Sequence, residues 1–249
     1  MGGLGNQLFQ WAYAKSLSII YNVPYYIDKS FYLNQIGVTP RDYELHKFEF
    51  LEIEFKEKPN NINLFNIYDG NPNVKIDINK NYFLYGYFQS EKYFFDKSEY
   101  IRRDLRMTEY MRSKLYEKYG NLYNHISLHV RRTDYLTSGN GFHPVQPISY
   151  YENAIKLLSS YERLLIFSDD INWCKSNLRF DNSVFIEQSS NVEDLWLMSL
   201  CRDNIIANSS FSWWGAWLNE NENKKVIAPI KWFNGQNTPI LVPDSWNRI

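Results

Sequence analysis

The second half of the sequence alternates short apolar runs with segments of helical periodicity. The apolar runs cover residues 126–130, 164–167, 184–186, 205–207 and 226–228. The helical segments lie near residues 150–158, 171–178, 192–201 and 211–218. This alternation is typical of a parallel sheet built from right-handed strand–helix–strand units, so the chain is predicted to be an α/β protein. Ligands of such sheets bind beyond the carboxyl ends of the strands, and we therefore expect functional residues just after each strand.

The first half of the sequence is less regular. Helical periodicity follows Gly5 and is predicted to end near Pro24, because proline stops a helix. We expect a strand at residues 25–27, loops and short strands over 56–81, a strand at 82–87 and a helix at 108–119. A change of character near residues 120–124 predicts a boundary between an N-terminal lobe, 1–124, and a C-terminal lobe, 125–249.

The charge balance argues against several classes of protein. The 249 residues include 27 Lys and Arg against 28 Asp and Glu, so we expect no nucleic-acid partner, and any anion site must be local. With only Cys174 and Cys201, neither a disulfide framework nor a cysteine zinc cluster is expected. No apolar stretch reaches the roughly 18–20 residues of a membrane span, and residues 1–3 show neither the basic nor the apolar region of a signal peptide, so we expect none. We predict a cytoplasmic protein, with or without peripheral attachment to a membrane.

An arginine pair follows the first of the predicted C-terminal strands, in the sequence HVRRTDY at residues 129–135. His129 and Arg131 share one face of the strand, and Arg131 and Arg132 emerge at its carboxyl end. Two guanidinium groups at this position match the geometry of phosphate oxygens. The alternative is a surface arginine pair that forms a salt bridge to Asp134, and the spacing alone does not decide between the two interpretations.

A second candidate anion site lies where the fourth strand turns into a helix. Ser209, Ser210 and Phe211 begin that helix, and free backbone N–H groups at a helix N-terminus attract anions. The simpler interpretation is that a serine caps the helix and that the tryptophans at 213, 214 and 217 fill the core, and both interpretations can hold together.

Two further segments carry candidate ligands. Asp169 and Asp170 end the second C-terminal strand and could accept hydrogen bonds from a ribose or a base, bind Mg²⁺, or cap the following helix. The glycines at the start of the chain, with Asn6 after them, would let the backbone approach a ligand. Their spacing does not fit the G-x-G-x-x-G fingerprint of dinucleotide-binding proteins.

Five segments, in order along most of the chain, resemble the alpha-1,2-fucosyltransferases of glycosyltransferase family 11. They are GGLGNQLFQWA at 2–12, GYFQSEKYF at 86–94, HVRRTDY at 129–135, FSDD at 167–170 and NSSFSWWGAWL at 208–218. The resemblance implies a GT-B-like fold of two Rossmann-like lobes, with an acceptor-side N-terminal lobe and a GDP-fucose-binding C-terminal lobe. It also implies membrane-associated glycan synthesis: transfer of L-fucose from GDP-fucose to a galactose hydroxyl of a glycan, without a required metal or other cofactor.

The same resemblance assigns roles to individual residues. Arg131 corresponds to the arginine that binds the donor's β-phosphate, with His129 and Arg132 beside it. The phosphate-binding turn corresponds to Ser209, Ser210 and Phe211, and an acidic residue near guanine or ribose corresponds to Asp169. The loop that faces the fucose corresponds to Gly3, Gly5 and Asn6. Family members usually have a strand before this loop, so a truncated start is expected to leave the first sheet one strand short.

The implied reaction sets the chemical demands on the site. A β-linked donor and an α-linked product require inversion through a single displacement, with stabilisation of the departing GDP and removal of a proton from the acceptor. Arg131 meets the first demand, and Asp134, with His143 behind it, is the candidate for the second. The alternatives are a non-catalytic sugar-binding module, a fucosyltransferase of another linkage, and a nucleotide-sugar mutase or hydrolase.

Overall fold

The computed structural model describes residues 1–57, 64–137, 141–235 and 241–249. They form two compact units, Met1–Arg106 and Met107–Ile249. The division precedes the boundary expected at residue 124, so the helix at 109–119 lies in the second unit. Contacts within that unit explain the difference: Lys114 forms a 2.6 Å ion pair with Glu193, and the His125 ring lies 2.9 Å from the Tyr119 carbonyl oxygen.

The N-terminal unit is built around one long helix, α1 (Leu4–Tyr21). It ends where predicted, at Asn22, whose backbone takes the left-handed conformation that commonly terminates helices. A small parallel sheet pairs β1 (Leu64–Tyr68) with β2 (Asn81–Tyr85), and α2 (Ser98–Asp104) follows. The strand predicted at 25–27 is wrong: Ile27 makes only an isolated bridge to Phe55, because the flanking residues find no further partner strand among those described.

The C-terminal unit contains the predicted alternation of strands and helices. Its helices are α3 (Glu109–Tyr119), α4 (Thr133–Thr137), α5 (Ile148–Lys156), α6 (Ile171–Asn177), α7 (Asn191–Leu200) and α8 (Ser210–Leu218). Its strands are β3 (His125–Val130), β4 (Arg163–Ser168), β5 (Ser183–Phe185), β6 (Asp203–Ile205), β7 (Val226–Ala228) and β8 (Asn247–Arg248). In the described residues these strands form one parallel sheet in the order β5-β4-β3-β6-β7-β8.

The core of this unit lies on both faces of the central strand. All six residues of β3 are buried, as expected for a parallel strand covered by helices on both sides. Ile126, Leu128, Leu164 and Ile166 are each 0% exposed. Burying a side chain of this size contributes roughly 1.5–3 kcal/mol relative to leaving it in water, so β3 and β4 anchor the sheet edge that carries the candidate site.

Strand β6 begins two residues before its predicted position at 205–207. Its first residues, Asp203 and Asn204, are polar but buried, which the apolar pattern could not indicate. Asn204 donates to the Ser127 hydroxyl at 2.7 Å and to the Met198 carbonyl at 2.8 Å. Ser127 comes from a distant part of the chain and Met198 from the end of α7, and together they satisfy the buried amide.

Helix α8 packs closely against α7. Trp213 and Trp214 are fully buried and Trp217 nearly so, which confirms their predicted place in the core. At Gly215 an added Cβ would lie 2.9 Å from both Cβ and Sδ of Met198, so the two helices approach at a distance that only glycine permits. The start of α8 is therefore fixed by the core behind it.

The predicted class of a two-lobed α/β protein is confirmed, since each compact unit combines helices with a parallel sheet. Cys174 and Cys201 are both free thiols and both buried. Across the described residues, we find no helix that combines the length and the apolar character needed to cross a membrane.

Candidate active site

The turn from β3 to α4 holds Arg131 between two carboxylates. The Arg131 Nε and Nη2 atoms both lie 2.8 Å from Oδ1 of Asp134, and Nε lies 3.3 Å from Oδ2 of Asp169. Both carboxylates thus engage the same side of the guanidinium, through Nε and Nη2. Burial alone would lower the pKa of Arg131, but the bond to Asp134 and the charges of both aspartates raise it above its ordinary value. The guanidinium is thus charged and held in one orientation.

Asp169 also fixes the backbone of this turn. Its Oδ1 accepts a hydrogen bond from the Arg132 N–H at 2.9 Å, and its Oδ2 accepts one from the Thr133 N–H at 3.1 Å. Oδ2 also accepts from the Thr133 hydroxyl. Both oxygens are therefore engaged by the end of β3, and Asp169 joins the ends of two neighbouring strands. The role near guanine or ribose that the resemblance assigns to it stays a prediction.

Arg132 is held by the start of α6. Its Nε lies 3.3 Å from Oδ2 of Asp170, and its guanidinium carbon lies 3.6 Å from the centre of the Trp173 ring. Asp170 also caps α6, because its Oδ1 accepts from the Trp173 N–H at 3.2 Å. The capping role considered for this residue is thus confirmed, and Trp173 is a contact that the sequence pattern did not indicate.

The charges in this cluster nearly cancel. Arg131 and Arg132 face three carboxylates, those of Asp134, Asp169 and Asp170, so the five side chains carry a net charge of −1. A surface ion-pair network was the alternative to a phosphate site, and these ion pairs are present. Attraction of a phosphate to this turn must therefore come from the direction of individual N–H groups rather than from net charge.

His129 lies near the carboxyl end of β3, at the same edge of the sheet. The side chain is buried, and its ring centre is 5.6 Å from that of Phe211. Burial and the charge of Arg131 lower the pKa of His129 from 6.5 to about 3, against an opposing effect of Asp169. The imidazole is therefore neutral near pH 7. Its Nδ1 has no hydrogen-bond partner among the described residues, an unusual state for a buried nitrogen.

The turn before α8 lies beside the arginine turn. Ser209 is the N-cap of α8, and its side chain accepts a hydrogen bond from the Phe211 N–H at 3.4 Å. The Tyr135 hydroxyl donates to the Asn208 carbonyl at 2.7 Å, and the Asn208 amide donates to the carbonyl oxygens of Pro144 and Trp232 at 3.0 Å. These bonds join the two predicted turns at one edge of the sheet, so His129, Arg131, Ser209 and their neighbours form one site.

Aromatic rings border this site. His143 stacks on Tyr135 with ring centres 4.6 Å apart, and Phe142 stacks on Phe233 at the same distance. Burial lowers the pKa of His143, with a smaller opposing effect from Asp134. A neutral His143 has a ring nitrogen that can accept a proton, and its place as the second candidate base stays a prediction.

The predicted N-terminal residues lie in the other compact unit. Gly3 is the N-cap of α1, and Gly5 and Asn6 lie within the first turn of that helix. Asn6 therefore lies inside the helix and not at its cap. The Asn6 side chain instead accepts a hydrogen bond from Nε2 of Gln89 at 2.7 Å.

Comparison with known proteins identifies the family. The sequence model of glycosyl transferase family 11 matches residues 65–239. The O-antigen biosynthesis glycosyltransferase WbnK of Escherichia coli is 32% identical over 98% of this chain and 97% of its own length. The chain belongs to glycosyltransferase family 11. An alpha-1,2-colitosyltransferase of Escherichia coli is 36% identical over 66% of this glycosyltransferase and 61% of its own length.

Solved structures give more distant matches. ADP-heptose heptosyltransferase II of Escherichia coli has a TM-score of 0.41 at 15% identity, covering 58% of this glycosyltransferase and 44% of that chain. The fucosyltransferase NodZ from Bradyrhizobium has a TM-score of 0.39 at 15% identity, and the match covers 58% of this glycosyltransferase and 54% of the NodZ chain. The chain thus spans about half the length of these structures.

Several residues of the site in this glycosyltransferase were not predicted from the sequence. Thr133, Tyr135 and Asn208 lie within the segments that carry the resemblance, but only the structure shows that they join the strand ends. The contact of Gln89 with Asn6 crosses a large gap in the sequence. A single sequence gives no signal for such pairs.

Proposed function

We propose that this glycosyltransferase moves L-fucose from GDP-fucose to a galactose hydroxyl of a glycan, forming an alpha-1,2 linkage with inversion and without a metal. The observation that carries the proposal is the fixed guanidinium of Arg131 at the carboxyl end of β3, next to the N-terminus of α8. The alpha-1,2 linkage in the name of one relative supports the linkage. Family membership favours an enzyme over a sugar-binding module.

Arg131 is the group that would bind the β-phosphate. Asp134 and Asp169 engage Nε and Nη2, so Nη1 is the nitrogen that would contact the phosphate. A group that is already oriented needs little rearrangement as charge develops on the departing phosphate, and such preorganisation is the main source of transition-state stabilisation. The two aspartates thus have a positioning role in the proposed reaction.

The N-terminus of α8 would supply the second set of donors. Its backbone N–H groups and the hydroxyls of Ser209 and Ser210 lie at the positive end of the helix dipole. The buried tryptophans and the Gly215 contact fix this helix in place. His129, buried beside Phe211 and neutral, would offer one ring N–H and one ring acceptor to the donor nucleotide.

Inversion requires that the acceptor hydroxyl lose a proton as the new bond forms. Asp134 is less suited to accept it, because its Oδ1 already accepts two bonds from Arg131. His143 is neutral near pH 7 and lies on the ring of Tyr135, within the same site. We therefore propose Asp134 as a positioning residue and His143 as the candidate base.

A metal-free reaction is also part of the proposal. Asp169 and Asp170 are the carboxylates that could hold Mg²⁺, yet Asp169 is engaged by two backbone N–H groups and Asp170 by Arg132 and the start of α6. A metal ion would have to compete with these donors for the carboxylate oxygens. This supports the use of arginine and backbone donors for the phosphates.

A second candidate donor carries colitose, the 3-deoxy analogue of fucose. The relative named as a colitosyltransferase is 36% identical to this chain, so the choice between the two sugars is open to experiment. The two donors differ by one hydroxyl on the sugar. A site that hydrogen-bonds this hydroxyl would favour fucose strongly, because the analogue would leave its polar groups unpaired.

The proposal is tested by calorimetry and by a transfer assay. GDP should bind equally well with and without EDTA, and GDP-fucose should give an alpha-linked product on a galactoside, identified by NMR of the anomeric proton. Arg131→Ala should reduce the rate of transfer about 10²- to 10³-fold, the effect of removing one preorganised donor. Arg131→Lys should also transfer poorly, since an ammonium cannot reproduce the planar arrangement of N–H groups.

Three results would contradict the parts of this proposal separately. Loss of GDP binding in EDTA would exclude a metal-free site. Near-native turnover by Arg131→Lys would show that the guanidinium geometry is not required. Faster transfer from GDP-colitose than from GDP-fucose would show that GDP-colitose is the preferred donor.

A further inference from the structure

Asn208 is a buried residue directly before Ser209, the N-cap of α8. It is only 1% exposed. Its Nδ2 donates to two backbone carbonyl oxygens, those of Pro144 and Trp232, at 3.0 Å each. An amide nitrogen has two hydrogens, so both are used. Turning the amide over would bring its oxygen against the two carbonyl oxygens, and the side chain therefore has one stable orientation.

Gln146 holds the acceptor end of the same amide. Its Nε2 donates to Oδ1 of Asn208 at 3.1 Å and to the Lys231 carbonyl oxygen at 3.0 Å. The two buried amides thus donate four hydrogen bonds within one network. This network joins two parts of the chain, residues 142–146 and 231–233, to the turn before α8.

The segment that precedes α5 has no regular secondary structure of its own. Residues 141–147 belong to no helix or strand, and Pro144 and Pro147 have no N–H to donate. Such a segment lacks the ladder of backbone bonds that fixes a helix or a sheet. The side chains of Asn208 and Gln146 therefore supply much of what holds it in place.

The aromatic rings that contact His143 are carried by parts of the chain that Asn208 bonds. Their centres lie 4.6 Å from the imidazole for Tyr135 and 5.0 Å for Phe142 and Phe233. The Tyr135 hydroxyl donates to the Asn208 carbonyl oxygen at 2.7 Å. Phe142 directly precedes His143, and Phe233 directly follows one of the two residues whose carbonyls accept from the Asn208 amide. One buried residue thus joins the surroundings of this imidazole.

We propose that Asn208 is a positioning residue that fixes His143 relative to the turn before α8. The buried core holds the start of α8, whereas His143 lies in a segment without regular structure, so loss of the Asn208 amide should displace His143 and leave the turn in place. A base must lie within about 2.6–3.2 Å of the hydroxyl it deprotonates. This inference rests on the proposed function, in which His143 is the candidate base and GDP binds at α8, and it adds the residue that holds the two at a fixed distance.

Asn208→Leu tests this role, because leucine has a similar size and no amide. We expect kcat to fall about 10- to 100-fold, the scale of a misplacement of up to about 1 Å. GDP should bind within about threefold of wild type in calorimetry, since the start of α8 keeps its place.

Gln146→Leu is a milder change in the same network, and it carries the test if Asn208→Leu does not fold. It removes the two bonds that Gln146 donates and leaves those of the Asn208 amide. We expect kcat to fall about 3- to 10-fold, the effect of one ordinary hydrogen bond, with GDP affinity unchanged. A wild-type kcat in Gln146→Leu, or a loss of GDP affinity as large as the loss of kcat, would oppose the inference.

Asn219→Leu is the matched control. Asn219 is also buried, at 2% exposed, and its Nδ2 donates to the Cys201 carbonyl oxygen and to Oδ1 of Asn204, each at 2.8 Å. It is the C-cap of α8 and so lies at the other end of that helix. This variant should lower the urea midpoint about as much as Asn208→Leu, while kcat stays within about twofold of wild type. An equal fall of kcat in both variants would show a general effect of destabilisation and overturn the inference.

A His143→Phe background tests whether the effect acts through His143. Phenylalanine keeps a ring to stack on Tyr135 but has no basic nitrogen. Adding Asn208→Leu in this background should cause little further loss of kcat. A full, independent loss in the double variant would show that Asn208 acts elsewhere.

An NMR readout separates this inference from the proposed function. The ring C–H signals of His143 should shift in Asn208→Leu and stay unchanged in Asn219→Leu. If His143→Phe keeps a full kcat, the candidate base is wrong, while shifted signals still support the positioning contact. Unchanged His143 signals in Asn208→Leu would contradict the contact itself.

Discussion

Replacing Asp169 with asparagine tests whether this carboxylate supports the arginine turn or binds the nucleotide. In the structure its two oxygens accept from the backbone N–H groups of Arg132 and Thr133, at 2.9 and 3.1 Å. Asparagine has a single acceptor oxygen, so in either orientation its NH₂ group faces one of these donors. One backbone N–H then loses its partner, and the charge that attracts Arg131 is lost as well.

The expected losses of stability and of GDP affinity in Asp169→Asn follow from these contacts. A hydrogen bond to a charged group contributes about 1.5–3 kcal/mol, and the side chain of Asp169 is only 17% exposed, so solvent replaces the bond poorly. We expect the free energy of unfolding to fall by about 2 kcal/mol, which for a unit of this size lowers the melting temperature by roughly 4–8 °C. Looser positioning of Arg131 should weaken GDP binding by about 10- to 30-fold.

Urea unfolding and titration calorimetry with GDP measure both effects on the same variant. Asp170→Asn is the comparison for stability: asparagine caps a helix as well as aspartate does, so α6 should keep its cap and only the 3.3 Å contact with Arg132 is weakened, which should cost less than Asp169→Asn. A supporting role predicts losses of both stability and GDP affinity in Asp169→Asn. Weaker GDP binding with unchanged stability would refute this reasoning and favour a direct contact with guanine or ribose.

Three further substitutions have defined outcomes. Asp134→Asn should weaken GDP binding about threefold in calorimetry, because a neutral amide orients the guanidinium less firmly; a collapse of kcat at unchanged affinity would instead indicate a base. Gly215→Ala should cost about 1–3 kcal/mol in urea unfolding, since the added methyl meets Met198 at 2.9 Å, and an unchanged midpoint would contradict this close packing. Ser190→Ala removes the hydrogen bond from the Glu193 N–H to the Ser190 hydroxyl and should cost about 1 kcal/mol by the same assay, whereas Ser190→Asn should largely restore the loss.

The sequence predicts the C-terminal unit better than the N-terminal unit for a physical reason. Buried parallel strands such as β3 and β4 are continuous apolar runs, and turn residues mark their ends. Strand β6 was misplaced because its first residues are polar, and Asp203 and Asn204 are compatible with burial only through partners that the fold supplies. Asp203 accepts from the Lys225 N–H at 2.8 Å, and Asn204 donates to Ser127.

In the candidate site, too, features set by neighbouring residues could be predicted, whereas contacts between residues far apart in the chain could not. The arginine turn and the serine turn could be predicted, because each follows a strand and carries residue types suited to an anion. The carboxylate contacts could not be assigned, since the spacing of Arg131 and Asp134 fits a phosphate site and a salt bridge equally well. The structure shows the salt bridge, and it also shows that Asp169, from the neighbouring strand, shares Arg131.

The strand order has a consequence for synthesis of the chain on the ribosome. Strand β3 lies between β4 and β6, but β6 follows it by roughly 80 residues, so one edge of this buried apolar strand has no partner until β6 emerges. At about 5–20 residues per second, that edge stays open for roughly 4–16 seconds, long enough to pair with another nascent chain. Production of this protein should therefore depend on chaperones or on slow expression at low temperature, although its finished sheet buries the same strand completely.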